Sequence, residues 1–156
     1  MSEEIRQDLL ARMAAARDAM ESCLNSFDAT DAVHVGMTEK WSVRDLCAHM
    51  IGWQEEFLKQ ADSLAGPGAK PIQYNIDGFN EESVHARARQ PWEQVRDAWK
   101  ITIGNIAHHV ESAPAGALVM GQLYRGFLEG IAITHMYEHL GQVSSWMHKL
   151  GMEPAE

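Results

Sequence analysis

Apolar residues recur every three or four positions through most of this chain, and that period restricts it to amphipathic helices packed stripe against stripe. Ile5, Leu9, Met13, Ala16, Met20, Leu24 and Phe27 form the first stripe and predict a helix from about Glu3 to Phe27. After a polar loop with Asp28, Asp31 and Gly36, Ser42 and Asp45 have the spacing of a capping box, and Leu46, Met50, Trp53, Phe57 and Leu64 mark a second helix. Glycine and proline at Ala65-Gly66-Pro67-Gly68 should end it. A long connection follows, carrying Tyr74, Asn75 and Asp77 and a short helical piece from about Glu81 to Ala88. Pro91 opens a third helix, whose inner stripe is Val95, Trp99, Thr102, Ile106 and Val110 and whose end is set by Pro114 and Gly116. A fourth helix runs from about Gln122 to Leu150 and terminates at Gly151. Four long helices with short links, except after the second, predict one all-α domain over residues 1–156, a four-helix bundle with a crossover connection.

Charge removes several classes of partner. The formal net charge is -9, and the 13 Lys and Arg residues are spread thinly, so the chain has no electrostatic footprint for nucleic acid or an anionic membrane. No apolar run is long enough for a transmembrane helix. Cys23 and Cys47 are too few to staple a secreted domain, and Met-Ser-Glu-Glu-Ile-Arg lacks the regions of a signal peptide, so the expected location is cytoplasmic.

Chemistry concentrates on three histidines. Advancing about 100° per residue along the fourth helix places Tyr124, Leu128, Ile131, His135, His139, Gln142 and Trp146 in one arc, so His135 and His139 interrupt an apolar stripe. On the second helix His49 falls at the edge of the buried face, one turn from Trp53, and an antiparallel pairing brings it level with His139. Two imidazoles one turn apart, joined by a third from a facing helix, can hold one transition metal and leave positions open for water or substrate. Imidazole suits zinc, nickel, copper and ferrous iron alike. Glu138 and Gln142 then stand as orienting groups able to polarise a bound water, and Trp53, Tyr124, Tyr74 and Asn75 as pocket walls. The alternative is that the histidines are satisfied core residues, bonded to Glu138, Gln142 or Tyr124; eight histidines in 156 residues make an i,i+4 pair an ordinary event. His34, His85, His108 and His148 read as surface residues, with His109 held in reserve at the border of its helix's inner stripe.

Two segments carry a family resemblance. Trp41-Ser42-Val43-Arg44-Asp45-Leu46-Cys47-Ala48-His49, continuing to Trp53, resembles the Trp-Ser/Thr-x-x-Asp-x-x-Ala-His-x-x-x-Trp signature of the DinB-like superfamily. That superfamily includes the DinB/YfiT-type metalloenzymes and the mycothiol-dependent maleylpyruvate isomerases. His135-Met136-Tyr137-Glu138-His139, with Gln142 three residues on, resembles its closing motif, and the stretch from Asp77 to Glu82 is similar to the middle of members near the ClbS-like branch.

The resemblance implies an up-down-down-up bundle whose metal-ligand positions fall on His49, His135 and His139. It also implies a divalent transition metal, zinc or nickel foremost, a low-molecular-weight thiol such as mycothiol, bacillithiol or glutathione as cosubstrate, a small-molecule substrate and a homodimer. The expected function is therefore a metal-dependent S-transferase or hydrolase. A metal-free small-molecule-binding or resistance protein of the ClbS-like kind, and a non-catalytic helical bundle, are the alternatives.

Overall fold

The computed structural model describes residues 2–152 and contains no strand among them. Its elements are α1 (Ser2–Leu24), a one-turn α2 (Ala29–Ala32), α3 (Val43–Ala65), α4 (Ile76–Ala86), α5 (Trp92–Ser112), a 3₁₀ turn at Ala115–Leu118, and a last helix that has three parts. These parts are α6 (Leu123–Glu129), a π-helical segment (Gly130–Thr134) and α7 (His135–Leu150).

Local chemistry sets most of the boundaries. Ser42 Oγ accepts from the Asp45 backbone N–H at 3.2 Å and Asp45 Oδ2 accepts from the Ser42 N–H at 3.1 Å, so the capping box forms and α3 begins where the spacing predicts. At the other end of the last helix, Gly151 takes the left-handed conformation (φ 71°) that closes α7. The connecting helix differs from expectation. Asn75 Oδ1 accepts from the Gly78 N–H at 3.2 Å, which starts α4 at Ile76 and not near Glu81.

Contacts between the long helices give their directions. Arg6 donates to the Val110 and Ala113 carbonyls while Glu21 pairs with Lys100, so α1 and α5 are antiparallel. Arg12 meets Glu129 and Cys23 meets Ser144, so α1 runs parallel to the last helix. Arg44 reaches Gln90 and Asp62 reaches His109, so α3 and α5 are parallel; His49 meets His139 and Phe57 meets Tyr124, so α3 opposes the last helix. Two neighbouring helices can run in parallel only if the link between them returns the length of the bundle, and the 66–91 connection does this, folding α4 onto the outside of α3. Trp99, Tyr124, Phe57, Leu9, Met20 and Ile106 fill the core. No helix among the described residues is long and apolar enough to cross a membrane.

The π-helical segment corrects the single arc expected for the fourth helix. The His135 N–H bonds to the Gly130 carbonyl five residues back, which inserts one residue into the turn and shifts every later position by about 100°. Buried positions of α7 are accordingly Met136, Val143 and Met147, each one residue beyond His135, Gln142 and Trp146. The histidines flank the core stripe and do not interrupt it.

Candidate functional site

His49 is held one and a half turns into α3, where Trp41 packs against its ring at 5.1 Å between centroids. It is 6% exposed. Across the antiparallel interface its Nε2 lies 3.2 Å from Nε2 of His139, with the two rings perpendicular. Gln142, one turn along α7, fixes the second ring: its Oε1 lies 2.8 Å from His139 Nδ1. An amide oxygen only accepts, so His139 Nδ1 carries the proton and its Nε2 lone pair faces His49. In the metal-free protein, Nε2–H of His49 donates to that lone pair. His49 Nδ1 is then a buried atom with no hydrogen-bond partner among the described residues.

Electrostatics keep both rings neutral. Burial lowers the His49 pKa to about 4, with the neighbouring His139 and His135 adding to the fall and Asn80 opposing it. Burial also lowers that of His139, against the opposing effect of its bond to Gln142. Each neutral imidazole keeps one lone pair, at Nε2 of His139 and at Nδ1 of His49, and His49 would offer Nε2 to an ion only with its proton moved to Nδ1.

His135 shares the same small recess with His49, His139, Met50, Trp53 and Ile131, whose volume of about 10 Å³ suits one water-sized occupant. Its ring centroid is 5.6 Å from that of His139, but the side chain is 50% exposed and its Nε2 leans toward Glu138 Oε2 at 3.8 Å. Among the described residues no three His, Cys, Asp or Glu side chains converge to within metal-binding reach. The donor chemistry still fits an ion: two nitrogens at tetrahedral angles, each about 2.0–2.1 Å from one zinc, stand about 3.3 Å apart, close to the His49–His139 separation. Gln142 supplies the acceptor that a ligating histidine needs on its far nitrogen.

The expected pocket residues separate. Trp53 walls the recess, and its Nε1 donates to Asn80 Oδ1 at 2.7 Å while the Phe79 ring packs against it at 4.3 Å, tilted by 34°. Tyr74 packs edge-on against Trp53 at 5.0 Å, and burial beside Glu56 pushes its pKa up to about 12. Asn75, placed by the sequence reading at the pocket, is exposed and spends its side chain on the α4 cap. Tyr124 is likewise elsewhere. It is fully buried against Phe57, two turns from His49 along α3, and its hydroxyl meets His109 Nδ1 at 2.8 Å, whose Nε2 meets Asp62 at 2.9 Å. His109 is thus a bonded interhelical link, not a surface residue.

Sequence reasoning missed Asn80 and assigned Trp41 no role. Trp41 stands inside the quoted motif. Asn80 stands inside the quoted Asp77–Glu82 stretch, but nothing local marks its role, because its partner lies 27 residues away on another helix. An open groove of about 570 Å³ between Trp41 and Asn80, bordered by Glu39, Lys40, Asp77 and Glu81, leads to this end of the bundle.

Comparisons with known proteins agree with the fold. The family model for the mycothiol maleylpyruvate isomerase N-terminal domain matches residues 13–125, which includes His49 and ends before His135. The colibactin self-resistance protein ClbS, solved in complex with a double-stranded DNA, superposes with a TM-score of 0.73 at 15% identity over 90% of this chain and 93% of that one. An uncharacterised protein from Escherichia coli UTI89 superposes with a TM-score of 0.78 at 14% identity over 95% of each. No curated protein matches the sequence. At such identities the solved structures establish a shared DinB-like helical fold, and with a family match over well more than half its length the chain belongs to the mycothiol maleylpyruvate isomerase N-terminal domain family.

Proposed function

We propose that the chain is a metal-dependent enzyme in which His49, His135 and His139 hold a divalent transition metal, zinc or nickel, and which transfers a low-molecular-weight thiol to a small electrophile or hydrolyses a small molecule. The observation that carries the reading is the His49–His139 pair: two neutral imidazoles with Nε2 atoms 3.2 Å apart, one oriented from behind by Gln142. The relative after which the family is named is a mycothiol-dependent isomerase, which supports a thiol as cosubstrate.

When bound, such an ion supplies Lewis acidity, lowering the pKa of a thiol or water beside it. The chain's own residues do the rest. His139 presents its Nε2 lone pair, His49 presents its own once its proton has moved from Nε2 to Nδ1, and His135, exposed at the rim, turns inward as the third donor. Gln142 holds the His139 tautomer. Met50 and Ile131 keep bulk water from the recess, and Trp53, its plane set by Asn80, forms the wall against which an apolar substrate lies. Glu138, near the His135 ring, accepts its free N–H once the ring turns.

A second reading is a metal-free binding or resistance protein, favoured by the outward position of His135 and by the likeness to ClbS. The net charge of -9 opposes contact with DNA, and a gel shift at low salt checks it. Zinc- or nickel-loaded protein is to be assayed for loss of free thiol with mycothiol, bacillithiol or glutathione and a small unsaturated acid. The enzyme reading predicts turnover that His139→Ala abolishes. Equal turnover by His139→Ala contradicts it.

A further inference from the structure

The end of α3, the 71–74 segment and the start of α6 enclose a groove of about 430 Å³, within the roughly 300–1,000 Å³ of small-ligand pockets. Leu64, Ile72, Tyr74, Met120, Leu123 and Phe127 make it largely apolar. Arg125 and its partner Glu129 both form part of its wall, and Arg125 is 9% exposed. Nε of this guanidinium donates to Glu129 Oε1 at 2.7 Å and Nη1 to the Leu118 carbonyl at 3.0 Å, while Nη2 makes no hydrogen bond to any described residue. Glu129 is shared, because its other oxygen accepts from Arg12 Nη2 at 3.3 Å, and among the described residues Arg12 is otherwise answered only by the exposed Asp8 at 3.8 Å. One carboxylate thus serves two guanidiniums, one of them buried with a spare donor. That spare donor is not shut off from solvent, so it is open to a ligand, and a charge-assisted bond to a carboxylate is the strongest it can make. At the rim, Met120 is 73% exposed beside Gly121 at φ 92°, an apolar side chain held in water over an apolar groove.

We propose that this groove binds an amphipathic monocarboxylate, its apolar body lying between Ile72, Leu123 and Phe127 and its carboxylate on Arg125 Nη2. The site is separate from the histidine recess and does not depend on a metal there. Its test is titration of the full-length chain with sodium decanoate, and with decan-1-ol as the uncharged probe, followed by calorimetry and by amide NMR shifts. Saturable one-to-one binding of decanoate is expected, with shifts at Met120, Gly121, Gly126 and Phe127 and an affinity about tenfold above that of decanol. Arg125→Gln should erase that preference and leave decanol binding in place. Should that variant not fold, Met120→Asp at the solvent-facing rim should weaken decanoate more than decanol. His49→Ala should bind decanoate as the parent does. Absence of saturation, shifts confined to other regions, equal affinity for the two probes, or an undiminished preference in the variants each overturns the proposal.

Discussion

Gly52 is where α4 closes onto α3, and Gly52→Ala tests whether that contact is as tight as the packing of the two helices implies. A Cβ built at position 52 overlaps Ser83 Oγ, and stands 2.6 Å from Ser83 Cβ and 3.5 Å from Phe79 Cε1. Ordinary contact begins near 3.4 Å, so α4 must retreat by most of an ångström or Ser83 must be displaced. That retreat is resisted by the Trp53–Asn80 hydrogen bond, the Trp53–Phe79 ring contact and the Arg87–Glu55 ion pair at 2.9 Å. Overpacking of this kind costs about 1–3 kcal/mol, against a gain of about 0.5–1 kcal/mol for replacing a mid-helix glycine by alanine. The net expectation is a loss of about 1–2 kcal/mol, or about 3–6 °C in Tm for a chain of this size. Thermal and urea unfolding of four proteins, the parent, Gly52→Ala, Ser83→Gly and the double variant, separates the terms, because Ser83→Gly removes the obstructing atom. Alanine at position 52 should destabilise the parent, and should be neutral or stabilising in the double variant, where Ser83→Gly has cleared the space. A stabilising effect in the parent, or the same cost in both backgrounds, refutes the close approach.

Other consequences are directly measurable. Gln142→Ala, at an exposed position, should lower metal affinity about 10–100-fold in a chelator competition while leaving the Tm of the metal-free protein within about 1 °C. Metal-free protein should lose stability as the pH falls. Folded His49 titrates near 4 and unfolded histidine near 6.5, so between those values the unfolded state binds the extra proton. Stability is full above pH 6.5 and declines by up to about 3 kcal/mol toward pH 4, read as the urea midpoint against pH; a His49→Gln variant that keeps the same slope counts against the assignment. Asn75→Ala should cost about 1 kcal/mol through the lost α4 cap, with metal content unchanged, whereas loss of metal would return Asn75 to the site.

Helix positions were legible where sequence and local chemistry agree. The Ser42–Asp45 box, the Gly66 stop and the Gly151 cap act within a few residues of themselves, and each lies where the pattern puts it. The π-helical insertion was not legible, because a uniform 100° step has no place for an extra residue. That one insertion moves the core stripe to Met136, Val143 and Met147 and leaves His135 at the rim. His49 and His139 nevertheless meet, since their level depends on distance along two antiparallel helices, which the insertion barely changes. Tyr124 misled for the same rotational reason and because its partners, His109 and Asp62, are contributed by two other helices. Asn75 misled because asparagine near a pocket and asparagine at an N-cap look identical in sequence.

The central claim is that the three histidines hold one ion, and the direct test is the metal content of tag-free protein, as purified and after incubation with zinc or nickel. His49→Ala, His135→Ala and His139→Ala are to be measured beside it. The account predicts about one transition metal per chain in the parent and a small fraction of that in every variant, including the rim residue His135. No bound metal in the parent after incubation, or full occupancy in the variants, contradicts it and leaves the metal-free binding protein as the better description.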